Sequence, residues 1–167
     1  FKDGAKQVAK GCCCYPEGTP VLTESGLKNI ESLETGELVY ARDPETGNTQ
    51  LKPITQLIIT DQKELYSLSL VNPSGEVETL RVTDNHPYWV FSEGWVEAKD
   101  LQTGMQIDSY DGQQLTVMSL VNLHIVERTY NFTVADFHTY FAGEQKALVH
   151  NCNCIAKSVA TLRDGGK

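Results

Sequence analysis

The feature that most constrains the fold is a long succession of short strand-forming runs separated by turn residues. Clusters of Gly, Pro, Asn and Asp stand between runs rich in β-branched, aromatic and aliphatic residues. Two short segments, 27–33 and 95–101, predict single helical turns. The predicted strands are residues 19–23, 38–41, 54–60, 65–71, 77–82, 88–91, 105–110, 115–121, 125–134 and 139–142. This pattern predicts an all-β fold.

A diluted internal repeat divides the chain into two related halves. The clearest match sets Leu33-x-Thr35-Gly36 against Leu101-x-Thr103-Gly104, 68 residues further on. Gly26 and Val39 have counterparts at the same offset in Gly94 and Ile107, and residues 66–70 resemble residues 130–134. A single duplication of this kind predicts two β subdomains related by a pseudo-twofold axis, with the two ends of the module close together.

Length and charge limit the classes of partner. The chain has 167 residues, of which 40% are hydrophobic, enough for one domain with its own core. A formal net charge of −8 and the lack of a basic run argue against a nucleic-acid partner. The sequence has no apolar stretch of membrane-spanning length and no signal peptide, so we expect no membrane partner, and we expect a monomer.

The cysteines lie only near the two ends of the chain. Cys12, Cys13 and Cys14 stand together, and Cys152 and Cys154 follow the long middle. This is not the distribution of a disulfide framework, and the spacing lacks the gaps typical of structural zinc sites. Terminal disulfides and a zinc site remain as alternatives to thiol chemistry at a point where the two ends meet. We expect no metal and no cofactor.

The run His150-Asn151-Cys152 has the side chains that can cut a peptide bond. The side-chain nitrogen of Asn151 can attack its own backbone carbonyl, forming a cyclic imide and breaking the bond to Cys152. His150 can supply or accept a proton in that step. Cys152 is a nucleophile able to receive an acyl group. The tripeptide alone is a weak signal.

Three segments together resemble the splicing motifs of the hedgehog/intein (Hint) superfamily. They are Cys14-x-x-x-Gly18-Thr19-x-Val21, Thr83-Asp84-Asn85-His86, and the stretch from Tyr130 through His138 to His150-Asn151-Cys152. The likeness is nearest to bacterial intein-like domains and to Hint modules of bacterial secreted and polymorphic-toxin proteins. It covers residues 14–151, which leaves no room for a homing endonuclease.

The resemblance implies a horseshoe-shaped, nearly all-β fold with both ends at one central site. It also implies an N-terminal flank at residues 1–13, a Hint domain at 14–151 and a C-terminal flank at 152–167. The partners of the domain are then its own flanking segments. The chain begins with Phe1 rather than Met, so we expect a segment of a longer host, bacterial by the resemblance and compatible with secretion. No targeting signal names its compartment.

For the first step, the resemblance implies that Cys14 attacks the carbonyl of Cys13 and converts the peptide bond into a thioester. His86 is expected to protonate the departing amine. Thr83 and Asn85 are expected to hold the scissile carbonyl or His86 by hydrogen bonds.

For the later steps, the resemblance implies that Cys152 takes over the acyl group from Cys14. Asn151 then cyclises with the help of His150 and of His138 as a proton carrier, which releases the module. The product joins Cys13 to Cys152.

Some residues depart from the pattern or stand outside it. Many inteins have Asp where this chain has Asn131, which puts the rate and coupling of the first step in doubt, and Pro16 constrains the chain next to Cys14. His124 matches no motif and is expected to be a structural strand residue. Taken singly, His86 and His138 also fit structural roles in a turn and a strand.

Three functions therefore stay open. We expect splicing, because Cys14, Asn151 and Cys152 are all present. The second is uncoupled self-cleavage at either end, and the third is an inactive Hint fold that serves as a redox or metal-binding module. We also expect the first thiol to be held as a disulfide, between Cys14 or a neighbour and Cys152 or Cys154.

Overall fold

The computed structural model describes residues 13–151, without the side chains of residues 61 and 62. The described residues form strands joined by turns and two 3₁₀ turns, at Ile30–Ser32 and Ala98–Asp100. In chain order the strands are β1 Tyr15–Pro16, β2 Pro20–Thr23, β3 Gly26–Asn29, β4 Leu38–Asp43, β5 Asn48–Val71, β6 Val77–Thr83, β7 Pro87–Val90, β8 Gly94–Glu97, β9 Gln106–Ile107, β10 Leu115–Val134, β11 Thr139–Ala142 and β12 Ala147–His150. The prediction of an all-β fold is confirmed. Between residues 13 and 151 no helix has the length and apolar character needed to cross a membrane.

Two long strands, β5 and β10, form the backbone of the fold. They pair antiparallel from Val71 opposite Thr116 to Ile54 opposite Val134, and bulges interrupt the register at several points. The sequence predicted each of them as two shorter strands, which is wrong. In β5 the pairing continues through the polar stretch, with Glu64 opposite Val126 and Lys63 opposite Glu127, whereas in β10 the predicted break coincides with a register shift between Asn122 and Val126.

The sequence analysis also missed or overextended some short strands. Strands β3 and β8 were not predicted, because both are polar or only half-buried arms of hairpins. Strand β12 was not predicted either. The predicted strand at 105–110 is reduced to β9 and one isolated bridge at Ser109. The two predicted helical turns, 27–33 and 95–101, contain the two 3₁₀ turns, but the first three residues of each belong to β3 and β8.

The internal repeat is visible in the hydrogen bonds. In the first half, the Gly36 N–H donates a hydrogen bond to the Ile54 carbonyl at 2.8 Å. In the second half, the Gly104 N–H donates the equivalent bond to the Val117 carbonyl at 2.9 Å. Both glycines have φ above +90°, a conformation that side chains with a Cβ rarely adopt. The sheet order around the central hairpin is equally symmetric, since β2 pairs with β11 and β7 with β12.

The central β11–β12 hairpin therefore joins two similar halves. The strand path runs β10-β9-β7-β12-β11-β2-β4-β5, and β10 also pairs with β5. This is the horseshoe-shaped, two-subdomain fold that the sequence predicts. The hairpin tip is held by the Glu78 carboxylate, which accepts the backbone N–H groups of Glu144 and Gln145 at 2.6 and 2.9 Å.

The core lies between the two halves and reaches the ends of the module. Its largest fully buried side chains include aromatic residues that surround the central hairpin: Tyr15, Tyr88, Phe132, Tyr140 and Phe141. A smaller cluster of Leu22, Phe141 and Leu148 packs against Tyr40, Trp89, Trp95 and Tyr110. Tyr40, Trp89 and Trp95 thus lie at the core edge. Cys14, directly before β1, and Asn151, directly after β12, are both buried.

Candidate functional site

The first end of the site is built around the amide nitrogen of Cys14, which belongs to the Cys13–Cys14 peptide bond. This N–H donates to Thr83 Oγ1 at 2.8 Å, and the Thr83 hydroxyl donates to Asn85 Oδ1 at 3.1 Å. The Cys14 carbonyl accepts the backbone N–H of Thr83 at 3.1 Å. Thr83 therefore contacts the nitrogen of the scissile bond, whereas the sequence analysis had it hold the carbonyl oxygen or His86.

The second element of this end is His86, which is fully buried. It lies in the turn between β6 and β7, where its backbone N–H reaches the Thr83 carbonyl at 3.4 Å. Tyr15 packs on its ring at a centroid distance of 4.4 Å, with Tyr88 and Tyr140 at 6.0 and 6.2 Å. Among the described residues, neither ring nitrogen has a hydrogen-bond partner.

The environment keeps His86 neutral. Burial, with a smaller contribution from the charge of His150, lowers the pKa of His86 from 6.5 to about 3, although the backbone of Cys14 opposes part of the shift. A neutral imidazole has one nitrogen that accepts and one that donates a proton. His86 is therefore equipped to receive a proton from a neighbouring group and to pass one on.

The Cys14 thiol is also fully buried, and it is not part of a disulfide. Burial raises the pKa of Cys14 to about 11, although hydrogen bonds from the side chains of Thr60 and Thr129 and the charge of Lys63 act in the opposite direction. At neutral pH the resting state is therefore the thiol, and the nucleophilic thiolate is a minor species.

The second end of the site is the segment around Asn151. Its backbone N–H donates to the His138 carbonyl at 2.8 Å, and its side chain is completely buried. Among residues 13–151, neither Nδ2 nor Oδ1 of Asn151 has a hydrogen-bond partner. Within this range, no hydrogen bond therefore holds the carboxamide away from its own backbone carbonyl.

His138 and His150 flank this asparagine. His138 has φ of +55°, a left-handed conformation that is uncommon for a residue with a side chain, and its Nδ1 is buried without a partner among the described residues. His150 is paired with Thr139 in the β11–β12 hairpin, and Trp95 packs edge-on against its ring at 5.0 Å. Burial lowers the pKa of His150, the Asn151 backbone raises it, and His138 lowers it again.

The three imidazoles belong to one electrostatic unit. His150 lowers the pKa of His86, and His138 lowers that of His150, which requires the three rings to be near one another. One cluster of histidines thus lies near both Cys14 and Asn151. His124 lies apart from this cluster on an exposed part of β10, with 77% of its side chain accessible, so its expected structural role stands.

Asn131 faces the same region from β10. Tyr15 pairs with Tyr130, so the continued antiparallel register places Asn131 opposite Cys14. The Asn131 side chain is buried, and in the described part of the chain neither of its amide atoms has a hydrogen-bond partner. As a neutral amide, Asn131 contributes no negative charge beside the first nucleophile.

The cysteines near the site differ in state. Cys13 is disulfide-bonded, whereas Cys14 is not. The expected disulfide is therefore not on Cys14 itself, because the bonded residue is its neighbour. Cys152, the expected acceptor, also lies outside residues 13–151. Within those residues no group of three His, Cys, Asp or Glu side chains is arranged to hold a metal ion.

Several residues of the site were missed in the sequence analysis. Thr60, Thr129 and the three tyrosines around His86 look like ordinary strand formers in the sequence. Thr129 could have been found from alternation, since it is two residues from Asn131 and so shares its face of β10. Thr60 required the β5–β10 register, which places it opposite Thr129.

Comparison with known proteins gives this site a family. A family model described as the pretoxin HINT domain matches residues 20–152. The solution structure of the bacterial intein-like domain from Clostridium thermocellum has a TM-score of 0.73 and 36% identity over 83% of this chain and 98% of that one. No curated protein sequence matches.

More distant structures share the fold. The DnaB intein from Synechocystis sp. PCC 6803 has a TM-score of 0.71 at 19% identity, over 84% of this chain and 99% of that one. The gp41-1 intein has a TM-score of 0.66 at 18% identity, over 83% of this chain and 98% of that one. The fold, the family model and the 36% identical relative all indicate a Hint domain. The chain belongs to the pretoxin Hint domain family, within the Hint superfamily of intein-like domains.

Proposed function

We propose that this domain splices its own host chain, in a single turnover and without a cofactor. The observation that carries the proposal is the meeting of two scissile bonds in one buried site. Thr83 contacts the nitrogen of the Cys13–Cys14 bond, and the unengaged carboxamide of Asn151 lies beside the Asn151–Cys152 bond. The charge of His150 acts on His86 and that of His138 acts on His150, so the three histidines are close enough to serve both bonds.

In the first step, the Cys14 thiol loses its proton and the sulfur attacks the Cys13 carbonyl carbon. A C–S bond forms, the C–N bond breaks, and the nitrogen of Cys14 gains a proton. His86 is neutral and lies beside this amide, so it suits the transfer of that proton from sulfur to nitrogen. Thr83 accepts the Cys14 N–H and so orients it, and the Thr83 hydroxyl in turn donates a hydrogen bond to Asn85.

In the later steps, the acyl group moves from Cys14 to Cys152 by thiol–thioester exchange, which frees the Cys14 thiol. The Asn151 side-chain nitrogen then attacks its own carbonyl carbon, closes the imide and releases the amine of Cys152, which takes up a proton. That amine attacks the thioester and forms the peptide bond from Cys13 to Cys152. His138 and His150 carry the protons at this end.

A second candidate is cleavage at the Asn151 end without ligation. The Cys14 thiolate is disfavoured by burial, which raises the pKa of the thiol to about 11, whereas the Asn151 carboxamide has no partner to give up among the described residues. If thioester formation at Cys14 is slow and cyclisation of Asn151 is not, the C-terminal flank is released before the acyl group has moved.

The test uses thioester trapping in chains that are blocked at one end. In Asn151→Ala, hydroxylamine should cut the chain after Cys13, at a rate that rises with pH because the thiolate fraction rises. In Cys14→Ala, hydroxylamine should produce no cut there, while loss of the C-terminal flank should continue. A chain that hydroxylamine never cuts in the Asn151→Ala background would contradict thioester formation, and flank loss in Cys14→Ala alone would leave the cleavage function.

A further inference from the structure

Two threonine hydroxyls lie beside the Cys14 thiol on the paired strands β5 and β10. Thr60 and Thr129 are directly opposite each other in the antiparallel register, and both are buried. Thr60 Oγ1 lies 3.7 Å from Cys14 Sγ, and the Thr129 hydroxyl reaches the Thr60 carbonyl at 3.3 Å. The Thr129 side chain also interacts with the thiol.

We propose that Thr60 and Thr129 are positioning residues that hold the Cys14 sulfur and donate hydrogen bonds to it when it becomes a thiolate. This inference rests on the proposed function, since the thiolate is the nucleophile of the first step. In this proposal the hydroxyls of Thr60 and Thr129 orient and stabilise the nucleophile.

The reason lies in the burial of the sulfur. Burying a charged sulfur away from water costs free energy unless hydrogen-bond donors surround it. Asn131, the residue opposite Cys14, has no charge, and neither of its amide atoms has a hydrogen-bond partner among residues 13–151. A hydroxyl can accept from the thiol and donate to the thiolate without moving, so one geometry of Thr60 suits both states of Cys14.

The two threonines should contribute unequally. Thr60 Oγ1 faces the sulfur directly, whereas the Thr129 hydroxyl is shared with the Thr60 backbone carbonyl. A buried threonine whose only role was to form a strand could be replaced by valine, which has nearly the same shape and an equal preference for strands. Replacement by valine therefore separates the positioning role from the structural one.

The first experiment measures hydroxylamine cleavage after Cys13 in the Asn151→Ala chain. Thr60→Val should slow it about tenfold, the effect of losing one hydrogen bond to a charged group, and Thr129→Val should slow it less. Thr60→Ser keeps the hydroxyl and should restore the rate. Thr55→Val, an exposed threonine of the same strand that contacts the Thr133 carbonyl at 3.4 Å, is the matched control and should change nothing. A Thr60→Val rate equal to that of the Thr55→Val control would overturn the inference.

A second experiment reads the thiol itself and needs no reaction. The Raman S–H stretching band of Cys14 is obtained as the difference between the full chain and its Cys14→Ala variant. Thr60→Val should move this band to the frequency of a thiol without a hydroxyl partner, and Thr60→Ser should leave it in place. An unmoved band in Thr60→Val would overturn the inference. A moved band in a chain that hydroxylamine never cuts would sustain the thiol contact and refute the proposed function.

Discussion

The Cys13 sulfur lies 3.9 Å from the carbonyl oxygen of His150, although the two residues are 137 positions apart. Because this sulfur is disulfide-bonded, it has no proton to donate, and the contact is one of proximity. Cys13 holds the carbonyl of the first scissile bond, and His150 immediately precedes the asparagine of the second. The fold thus brings both bonds to one place, as the pairing of β12 with β11 and β7 requires.

The contact between Thr83 and the Cys14 amide leads to the first prediction. Thr83→Val removes the acceptor of the Cys14 N–H and leaves a buried donor without a partner, so the amide loses its orientation. We expect hydroxylamine cleavage after Cys13 in the Asn151→Ala chain to fall about a hundredfold, in the range seen when one catalytic hydrogen-bond partner is removed. Thr83→Ser retains the hydroxyl and should keep most of the rate. Equal rates for the valine and serine variants would contradict a role for the hydroxyl.

The burial of His86 predicts a loss of stability in acid. The unfolded chain binds a proton at His86 as the pH falls below 6.5, whereas the folded chain binds it only near a pKa of about 3. The unfolded state therefore holds more protons in this window, and the stability fully present above pH 6.5 is lost as the pH falls. Urea unfolding of the Cys14→Ala chain should show a decrease of up to about 3 kcal/mol between pH 7 and about pH 4 from this residue.

His86→Leu in the same background is the comparison for that measurement. It removes the titrating group and keeps an apolar side chain in the aromatic pocket, so its stability should decline less over the same pH range. Burial also lowers the pKa of His150, so His150 contributes part of the pH dependence of stability in both chains. Identical pH dependence with leucine and histidine would show that His86 is not buried as a neutral ring.

The disulfide on Cys13 predicts control by reductant. A bonded sulfur is not a nucleophile, and the bond restrains the residue that carries the acyl group beside His150. We expect the joined product from the full chain only after reduction, and from Cys13→Ser with and without reductant. Intact mass in both conditions decides this, and a Cys13→Ser chain that still needs reductant would place the block elsewhere.

Much of this site could be predicted because its chemistry depends on unusual residues in a fixed order. Cys14, the Thr83–His86 turn and the His150–Asn151 end each have side chains that a strand or turn does not need. The all-β class followed from the turn residues, and the two halves followed from repeated glycines such as Gly36 and Gly104, whose positive φ values constrain the residue type.

What could not be predicted depends on register across distant strands. The polar stretch of β5 around Lys63 resembles a loop until it is seen to pair with Val126 and Glu127 of β10. Thr60 and Thr129 resemble strand formers until the same pairing places them against Cys14. The sequence indicates which side chains react. The residues that contact those side chains depend on how distant strands pack together.

The most direct test of the account is intact-mass spectrometry of the purified full chain over time under reducing conditions, beside Cys14→Ala and Asn151→Ala. The account predicts a peptide of residues 1–13 joined to 152–167 and an excised module of residues 14–151, and neither variant should yield the joined peptide. Separate flanks without a joined peptide would support uncoupled cleavage. An unchanged mass in every sample would contradict autoprocessing and favour the inactive Hint module.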